Sequence, residues 1–357
     1  MEPAPLSPKW LRSLILAAFA LAGLAILAPP AVAQPFGGTF SLSSANPGYI
    51  QIPQSPALNP TGPITIELWV SAGTQDSASI CKSLVGKNWE QSYWVGICGR
   101  TLRSYLRGSS SHFDGGTIPV GELTHIAVTF DGATRRHYIN GELVASQAET
   151  GALPATSDPL RIGSDVNYNF VPNASFSEVR LWKVARTVDQ IRSTINVQLR
   201  TAQPGLVAAW GFGATDNLGG HNGSIVGHAS VLDLPIAPNC GASTSTTLCL
   251  DNRFSITAVY RTGAPGTAES QAQTASCTNA GSGLFWFFSP DNWEVMVKAI
   301  DGCALNDRFW IFSAATTNVF YRMTVYDVHA GAQKIFFNYP GPPAPAVTDT
   351  SAFATCP

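Results

Sequence analysis

Along most of the chain, apolar and polar residues alternate with a period of two. The alternating runs are short and are separated by turns rich in glycine, asparagine and aspartate. "YIQIP" (49–53) alternates, and in "ITIELWV" (64–70) Ile64, Ile66, Leu68 and Val70 share one face. "SLVGK" (83–87) and "SYWVGI" (92–97) flank the polar turn "NWEQ". "THIAVTFDGATRRHYINGELVAS" (124–146) reads as a ribbon with two turns. Ile126, Val128 and Phe130 lie on one face of it, and His125, Ala127 and Thr129 on the other. Asn140-Gly141 supplies the positive φ angles that a two-residue hairpin turn needs. "PLRIGS" and "SEVRLWKV" add two strands, and "LVAAWGF" closes the block. The one helix predicted here is "TVDQIRSTI", with Thr187 as N-cap and Gln190 three residues on, as in a capping box. Strands at this spacing with almost no helix predict an all-β fold, a two-sheet antiparallel sandwich over residues 34–213.

Residues 214–247 are rich in Gly, Ser, Thr, Asn and Pro, and "CGASTSTT" within them reads as a linker. From 248 to 357 the alternation returns. "FSITAVYR", "LFWFFS", "WEVMVKAID", "FWIFSA", "FYRMTVYDV" and "KIFFNY" predict six strands of a second, smaller β-sandwich. Phe320, Met323 and Val325 do not lie on one strict alternation, which points to a bulge in that strand. Phe285 and Phe287 face one way, Trp286 and Phe288 the other. Both sides being aromatic fits a central strand buried on both faces or one aromatic face open to water; burial is the reading preferred, with Asp291-Asn292 as turn chemistry.

The first 33 residues stand outside this pattern. Lys9 and Arg12 precede the apolar run "LILAAFALAGLAILA", and Ala31 and Ala33 form a small-residue exit. Residues 1–33 are therefore expected to be a secretory signal, with the mature chain starting at Gln34; the alternative is an uncleaved membrane anchor, for which an apolar run of about 15 residues is short against a ~30 Å hydrocarbon core. The expected location is secreted or cell envelope, with no membrane insertion once the signal is cleaved. Charge adds an exclusion: 23 acids against 21 bases give a net −2, so no strong field draws in nucleic acid or an anionic membrane. Of the seven cysteines none forms a C-x-x-C pair, so disulfides are favoured over zinc or redox chemistry. Cys81 and Cys98 are nearly equidistant from the "NWEQ" turn, which in a hairpin places them opposite each other within bonding reach. Among Cys240, Cys249, Cys303 and Cys356 the sequence leaves three connectivities open. The scheme adopted is Cys303–Cys356, which would pin the terminus, with Cys240–Cys249, leaving Cys277 over.

"ITIELWV", "LTHIAVTFDGATRRHYINGELVAS", "LRIGSD", "SFSEVRLWKVARTVDQI" and "GLVAAWGF", in this order, resemble the laminin-G/pentraxin-like branch of concanavalin A-like domains. The resemblance implies a jelly-roll sandwich, often with a calcium ion and often binding glycans or other proteins, although some relatives are glycosidases. The second block, through "LCLDNRFSITAVYR", "FWFFSPDNWEVMVKAIDGCALNDRFWIFSA" and "DTSAFATC", resembles a C-terminal module found at the ends of secreted bacterial proteins. That likeness implies export and bacterial origin but no particular activity.

Glycosidases on such a fold need two converging carboxylates, and none of Glu67, Glu178 or Glu294 is followed by a partner at strand spacing. His-Glu-x-x-His and Gly-x-Ser-x-Gly are also absent from the sequence. No catalytic residue is therefore assigned. Asp165, Asn167 and Asn169, in the loop "GSDVNYNFVPNAS", are the candidate calcium ligands. The acidic residue that the resembled family often places just ahead of "EVR" is Ser177 here, and the alternative reading is a polar loop satisfying its own backbone. Trp69, Trp94, Trp182 and Trp210 sit in apolar strand patterns and read as core. Trp89, in the turn, and Tyr168, in the Asn-rich loop, are the candidate ligand-binding rings. His125 and His137 read as two partly exposed histidines able to approach across the ribbon. The expected function is non-catalytic recognition of a glycan or cell-surface protein. The alternatives are an envelope or matrix assembly protein and, less in keeping with the residues, an atypical glycosidase.

Overall fold

The computed structural model describes residues 39–75, 80–107, 111–166, 170–232, 237, 239–276, 279–341 and 343–357. The predicted signal, Asn167, Tyr168, Asn169 and Cys277 lie outside the described residues. Among those described, the chain forms four antiparallel sheets in two pairs.

The back sheet runs, in spatial order, Glu142–Ala148, Thr134–Ile139, Leu123–Phe130, Ile64–Ala72, Ala174–Trp182, Thr39–Leu42 and Ser230–Leu232, with Leu206–Trp210 also paired to Ala174–Trp182. The front sheet runs Ser224–Gly227, Gly48–Ile52, Leu160–Ile162, Lys82–Gly86, Trp94–Cys98, Thr101–Tyr105 and Phe113–Thr117. Their facing sides share one core that includes Ile66, Leu68, Ile126, Val128, Val95, Leu102, Phe176 and Trp210. The segment read as a linker is thus partly structural. Ser224–Gly227 extends the front sheet beside Gly48–Ile52, and Ser230–Leu232 extends the back sheet beside Thr39–Leu42. Short strands at sheet edges need few apolar side chains, so composition alone concealed them.

The second sandwich pairs an inner sheet (Thr247–Leu250, Phe254–Arg261, Phe320–Asp327, Ala332–Asn338, with Ser270–Gln271) with a terminal sheet. The latter comprises Gln273–Thr274, Ser282–Ser289, Asn292–Asp301, Phe309–Ala315 and Val347–Phe353. The bulge expected in Phe320–Asp327 is not there. That strand pairs without interruption from Arg261↔Phe320 to Phe254↔Asp327. Tyr321, Met323 and Val325 keep the inward alternation, while Phe320 lies under the Arg261 guanidinium, 4.4 Å from it. The irregularity falls instead between Phe285 and Trp286, opposite Glu294.

Disulfides join Cys81 to Cys98, Cys240 to Cys249 and Cys303 to Cys356. Helix α1, Val188–Thr194, carries the capping box: Gln190 N–H donates to the Thr187 hydroxyl, and Thr187 N–H donates to the Gln190 side chain.

The two sandwiches meet through the outer faces of the back and inner sheets. In Ile64–Ala72 and Leu123–Phe130 every residue is buried, so these strands are covered on both sides. On the outer side Trp69 stacks on Phe337 (centroids 6.2 Å apart, planes at 20°) and clusters with Leu123, Ile195 and Ile335. Asn140 (φ 50°) and Gly141 (φ 75°) form the expected two-residue turn. Gly141 serves a second purpose: a Cβ there would sit 2.4 Å from the Tyr339 hydroxyl of the second sandwich. Arg192 of α1 donates to the Gly141 carbonyl and lies 3.6 Å above the Tyr339 ring. Ion pairs Arg261–Glu142 and Arg322–Glu122 (2.9 Å) cross the same junction.

A buried ionic network lies on the outer face of the central back-sheet strands. Glu67, fully buried, accepts hydrogen bonds from Arg186 (2.8 and 3.0 Å), Arg180 (3.3 Å) and the Trp182 indole (3.0 Å). Arg180 also reaches Glu178 at 3.0 Å and the carbonyl of Thr194 at 3.0 Å, and Arg186 reaches the Thr194 hydroxyl at 2.8 Å. Burial alone would raise the Glu67 pKa, but the Arg180 and Arg186 guanidiniums overcome it and hold the carboxyl below its usual range.

The two histidines do not approach each other and are not exposed. His137 is the register partner of inward Val128 and bonds Ser104 (2.7 Å) and the Gly115 carbonyl (2.9 Å). His125 points to the opposite face, against Trp69. Both are buried, and burial depresses His125 to about 3 and His137 to about 4.

Two outcomes follow. Glu67→Gln leaves Arg180 and Arg186 short of a buried partner and should destabilise the fold by about 3–5 kcal/mol in urea denaturation. Both histidines stay neutral in the fold but take up protons below about pH 6.5 when unfolded, so stability should fall as pH drops from 6.5 towards 4. The expected slope is roughly 2–3 kcal/mol per pH unit, two protons in all. Denaturation midpoints across that range should show it, and a flat profile would contradict the neutral burial of these rings.

Candidate functional site

Because the inner sheet covers the back sheet, the outward face of the first sandwich is that of the front sheet. Side chains alternate along its strands. Val95, Ile97 and Leu102 enter the core. Trp94 and Tyr105, register partners on the other face, meet edge to face at 5.3 Å. The Trp94 ring crosses Gly96, where a Cβ would come within 2.1 Å of the indole, and its N–H donates to Ser83 at 2.7 Å. Trp94 is therefore buried, and it forms the floor on which Tyr105 rests.

Trp89 joins the row from the turn, its ring 5.7 Å from Tyr105, and His112 lies 6.3 Å from Tyr105 on the far side. Trp89 and Tyr105 are half-buried and His112 is exposed. The turn that carries Trp89 is locked. The Asn88 side chain accepts from the N–H groups of Glu90 and Gln91 (3.1 Å each) and donates to Asp158 at 2.7 Å. Buried Lys87 donates to Gln54 and to the Asp158 carbonyl, both at 2.5 Å. Burial draws the Lys87 pKa down to about 8, against the pull of Asp158. The Cys81–Cys98 bond fastens the neighbouring hairpin, and the exposed pair Arg103–Asp114 (2.6 Å) flanks the row.

A cavity of about 300 Å³ continues the site beyond His112, lined by Arg107, Ser111, His112, Arg135, Gln147 and Glu149. Arg135, fully buried, donates to the carbonyls of Ser104 (2.9 Å) and Ser111 (2.7 Å) and pairs with Glu149. Arg107 shares the same carboxylate at 3.0 Å. Two guanidiniums on one carboxylate leave the cavity with one net positive charge before His112 is counted. The chemistry on offer is aromatic stacking, hydrogen-bond donation and a cationic wall. Asp114 is held below the usual carboxylate range by the hydrogen bond from Arg103, the opposite of what a general acid requires.

Trp69, Trp94, Trp182 and Trp210 are all buried. Glu67 and Glu178 lie beneath the second sandwich and α1, bridged by Arg180, rather than in a cleft. Asp165 is buried with its side chain against the backbone of Gly86, where a Cβ would meet its carboxylate at 2.5 Å. Among the described residues no three His, Cys, Asp or Glu side chains gather to hold a metal. Asn173, in the same loop, bonds Ser44 N–H (2.8 Å) and the Thr74 carbonyl (3.1 Å), tying three loops together. Tyr105, His112 and the Arg107–Arg135 cavity escaped the sequence reading. The alternation of Thr101, Arg103 and Tyr105 against Leu102 and Ser104 was the available signal, with Gly99 (φ 64°) marking the turn before it.

Residues 44–192 match the model of the concanavalin A-like lectin/glucanases superfamily, Laminin_G_3. The first sandwich is accordingly a concanavalin A-like jelly roll, and the match ends before the edge strands at 224–232 and the second sandwich. Mouse (Mus musculus) pappalysin-1 is 34% identical over 94 residues, 24% of this chain and 6% of that protein, so the chain spans only a small part of this relative. Among solved structures, a candidate carbohydrate-binding protein from Bacteroides ovatus is 20% identical over 58% of this chain and 63% of that one, TM-score 0.45. Domain 4 of the GH43 extracellular arabinanase AbnA from Geobacillus stearothermophilus, in complex with arabinotriose, is 20% identical over 45% and 78%, TM-score 0.36. The binding domain of botulinum neurotoxin DC, in complex with SialylT, is 9% identical over 80% and 63%, TM-score 0.34. These likenesses decide neither a ligand nor a reaction for this chain.

Replacing Cys81 and Cys98 together by alanine opens a bond of sequence separation 17 and should lower stability by about 3 kcal/mol in thermal denaturation under oxidising conditions.

Proposed function

We propose that this protein is a secreted, non-catalytic binding protein whose first sandwich recognises a glycan through the Trp89–Tyr105–His112 row and the adjoining Arg107–Arg135 cavity. The single observation carrying this reading is the row itself. A tryptophan held out on a locked turn edges a tyrosine that rests on a buried indole, and hydrogen-bond donors stand beside them. Rings partly open to water offer an apolar face to sugar C–H groups, and the neighbouring charged groups orient hydroxyls.

Three further observations support it. Asp114 and Glu149 in the site are both engaged by arginines, which suits recognition rather than acid catalysis. Of the three glutamates weighed as acids, Glu67 and Glu178 are buried in an arginine network, and Glu294 is buried with its carboxylate accepting from the Phe287 N–H and the Asn292 amide. Three disulfides suit an oxidising compartment outside the cytoplasm. A cell-surface protein presenting the same chemistry is the alternative ligand. Calcium is a proposed cofactor with Asp165, Asn167 and Asn169 as its ligands, of which Asp165 lies beside Gly86.

On an array of soluble oligosaccharides the full chain should bind at least one glycan class. Trp89→Ala and Tyr105→Ala should each weaken that binding at least tenfold, with unfolding midpoints within about 1 kcal/mol of the parent. The array is run with calcium and with chelator. Absence of binding in both conditions would sink the glycan reading. Binding that both variants retain would move the site elsewhere.

A further inference from the structure

The terminal sheet has the other outward face of the stack, and it is not the buried aromatic layer that its sequence suggested. Val295, Val297 and Ala299 point into the second core, while Met296, Lys298 and Ile300 point out. On neighbouring strands Trp286 pairs in register with Trp293, Ile300 with Trp310, and Lys298 with Phe312. Trp293 is 46% exposed, and Met296 and Ile300 are each 38% exposed. Trp286, Trp310 and Phe312 are half-buried.

The bulge explains how Trp293 comes to stand out. Glu294 is the extra residue opposite Trp286, and it is buried. Its carboxylate accepts from the Phe287 N–H at 2.6 Å and from the Asn292 amide at 2.5 Å. Two of the rings are also tied within their own module. The Trp293 N–H donates to the Pro290 carbonyl at 3.2 Å. The Trp310 N–H donates to the Asn306 side chain at 2.8 Å, and its indole rests on Gly302, where a Cβ would sit 2.3 Å from the ring. Their donors are spent internally, so what these rings offer a partner is apolar surface, fixed in place beforehand.

We propose that this face is a second carbohydrate platform, on which an extended polysaccharide lies across the rings from Trp286 and Trp293 to Trp310. It does not rest on the reading of the front sheet. The strand separates the two ends of the row by about 20 Å at roughly 3.3 Å per residue, enough to engage a polymer along several units. Two other occupants fit less well. The open apolar area is on the order of 400 Å², a size that marks an interaction site on a monomer but is about half of what each partner of a stable dimer buries. The charges around it, Lys298 and Arg308 against Asp291, Asp301 and Asp307, sum to one negative, which repels an anionic bilayer rather than attracting it. Rings grouped on one sheet face, interrupted by Lys298 and bordered by Asn292, suit the alternating C–H and hydroxyl surfaces of a sugar chain.

The test is depletion of the full chain from solution by microcrystalline cellulose, chitin and bacterial cell-wall sacculi, with sedimentation velocity and vesicle flotation alongside. The wild type should be retained by at least one polymer. Trp293→Ala/Trp310→Ala should weaken retention at least tenfold, Trp293→Tyr/Trp310→Tyr should restore most of it, and Trp89→Ala should keep it. Retention by none of the three polymers, or an unchanged double alanine variant, overturns the proposal. So does a dimer or a vesicle-bound form that the double variant abolishes. Retention lost in Trp89→Ala but kept in the double variant would assign the polymer to the front sheet, leaving that reading standing and this one refuted.

Discussion

The carboxylate of Glu67 is the group on which the arrangement depends. It sits at the centre of a face that water does not reach, and an isolated buried carboxylate would cost far more than the fold could carry. Arg186 and Arg180 neutralise it, Glu178 balances Arg180, and the remaining guanidinium N–H groups turn to carbonyls and a hydroxyl at the end of α1. Two acids and two arginines cancel, with His125 held neutral beside them. With the charges balanced and the Glu67 carboxylate hydrogen-bonded on both oxygens, the polar face of the central strands can be sealed by Trp69, Ile195 and the second sandwich.

From that seal follows a four-layer order: front sheet, back sheet, inner sheet, terminal sheet. The central strands of the back sheet are covered on both sides, and both end faces carry grouped aromatic side chains. At the front these are Trp89 and Tyr105 over buried Trp94, joined to a cationic cavity. At the other end they are Trp286, Trp293 and Trp310, with two of the indole donors already used. On the two proposals made above, the first group would take a soluble glycan and the second a polysaccharide. Together they would hold one chain to two sugars at once, with an affinity gain set by geometry rather than by new contacts.

The junction also explains small residues that a strand pattern alone leaves unaccounted for. Gly141 is both the second residue of a tight turn and the only residue size that admits the Tyr339 hydroxyl, and Gly302 lets Trp310 lie down on the backbone. A cleft of about 420 Å³ remains at the junction, where Glu142 pairs with Arg261 while Glu122 and Glu269 share Arg322. Each of these acids is engaged with an arginine, so the cleft reads as a latch between the sandwiches.

The sequence by itself determined the strands, the capped helix, the Asn-Gly turn and the inward rows, because period-two alternation and turn chemistry are local properties that survive in a single chain. Trp89 was legible for the same reason, being an aromatic residue placed in a polar turn. What faces what was not local. "TIELW" looks the same whether its polar face meets water or a second sandwich, and only the docked inner sheet made Glu67, Trp69 and His125 buried. "FWFF" looks doubly buried until the terminal sheet is seen to have no layer outside it among the described residues. Tyr105, His112 and Arg135 come from three separate strands and loops. Their assembly into one site was decided by cross-strand register, a tertiary quantity that no single stretch of sequence encodes.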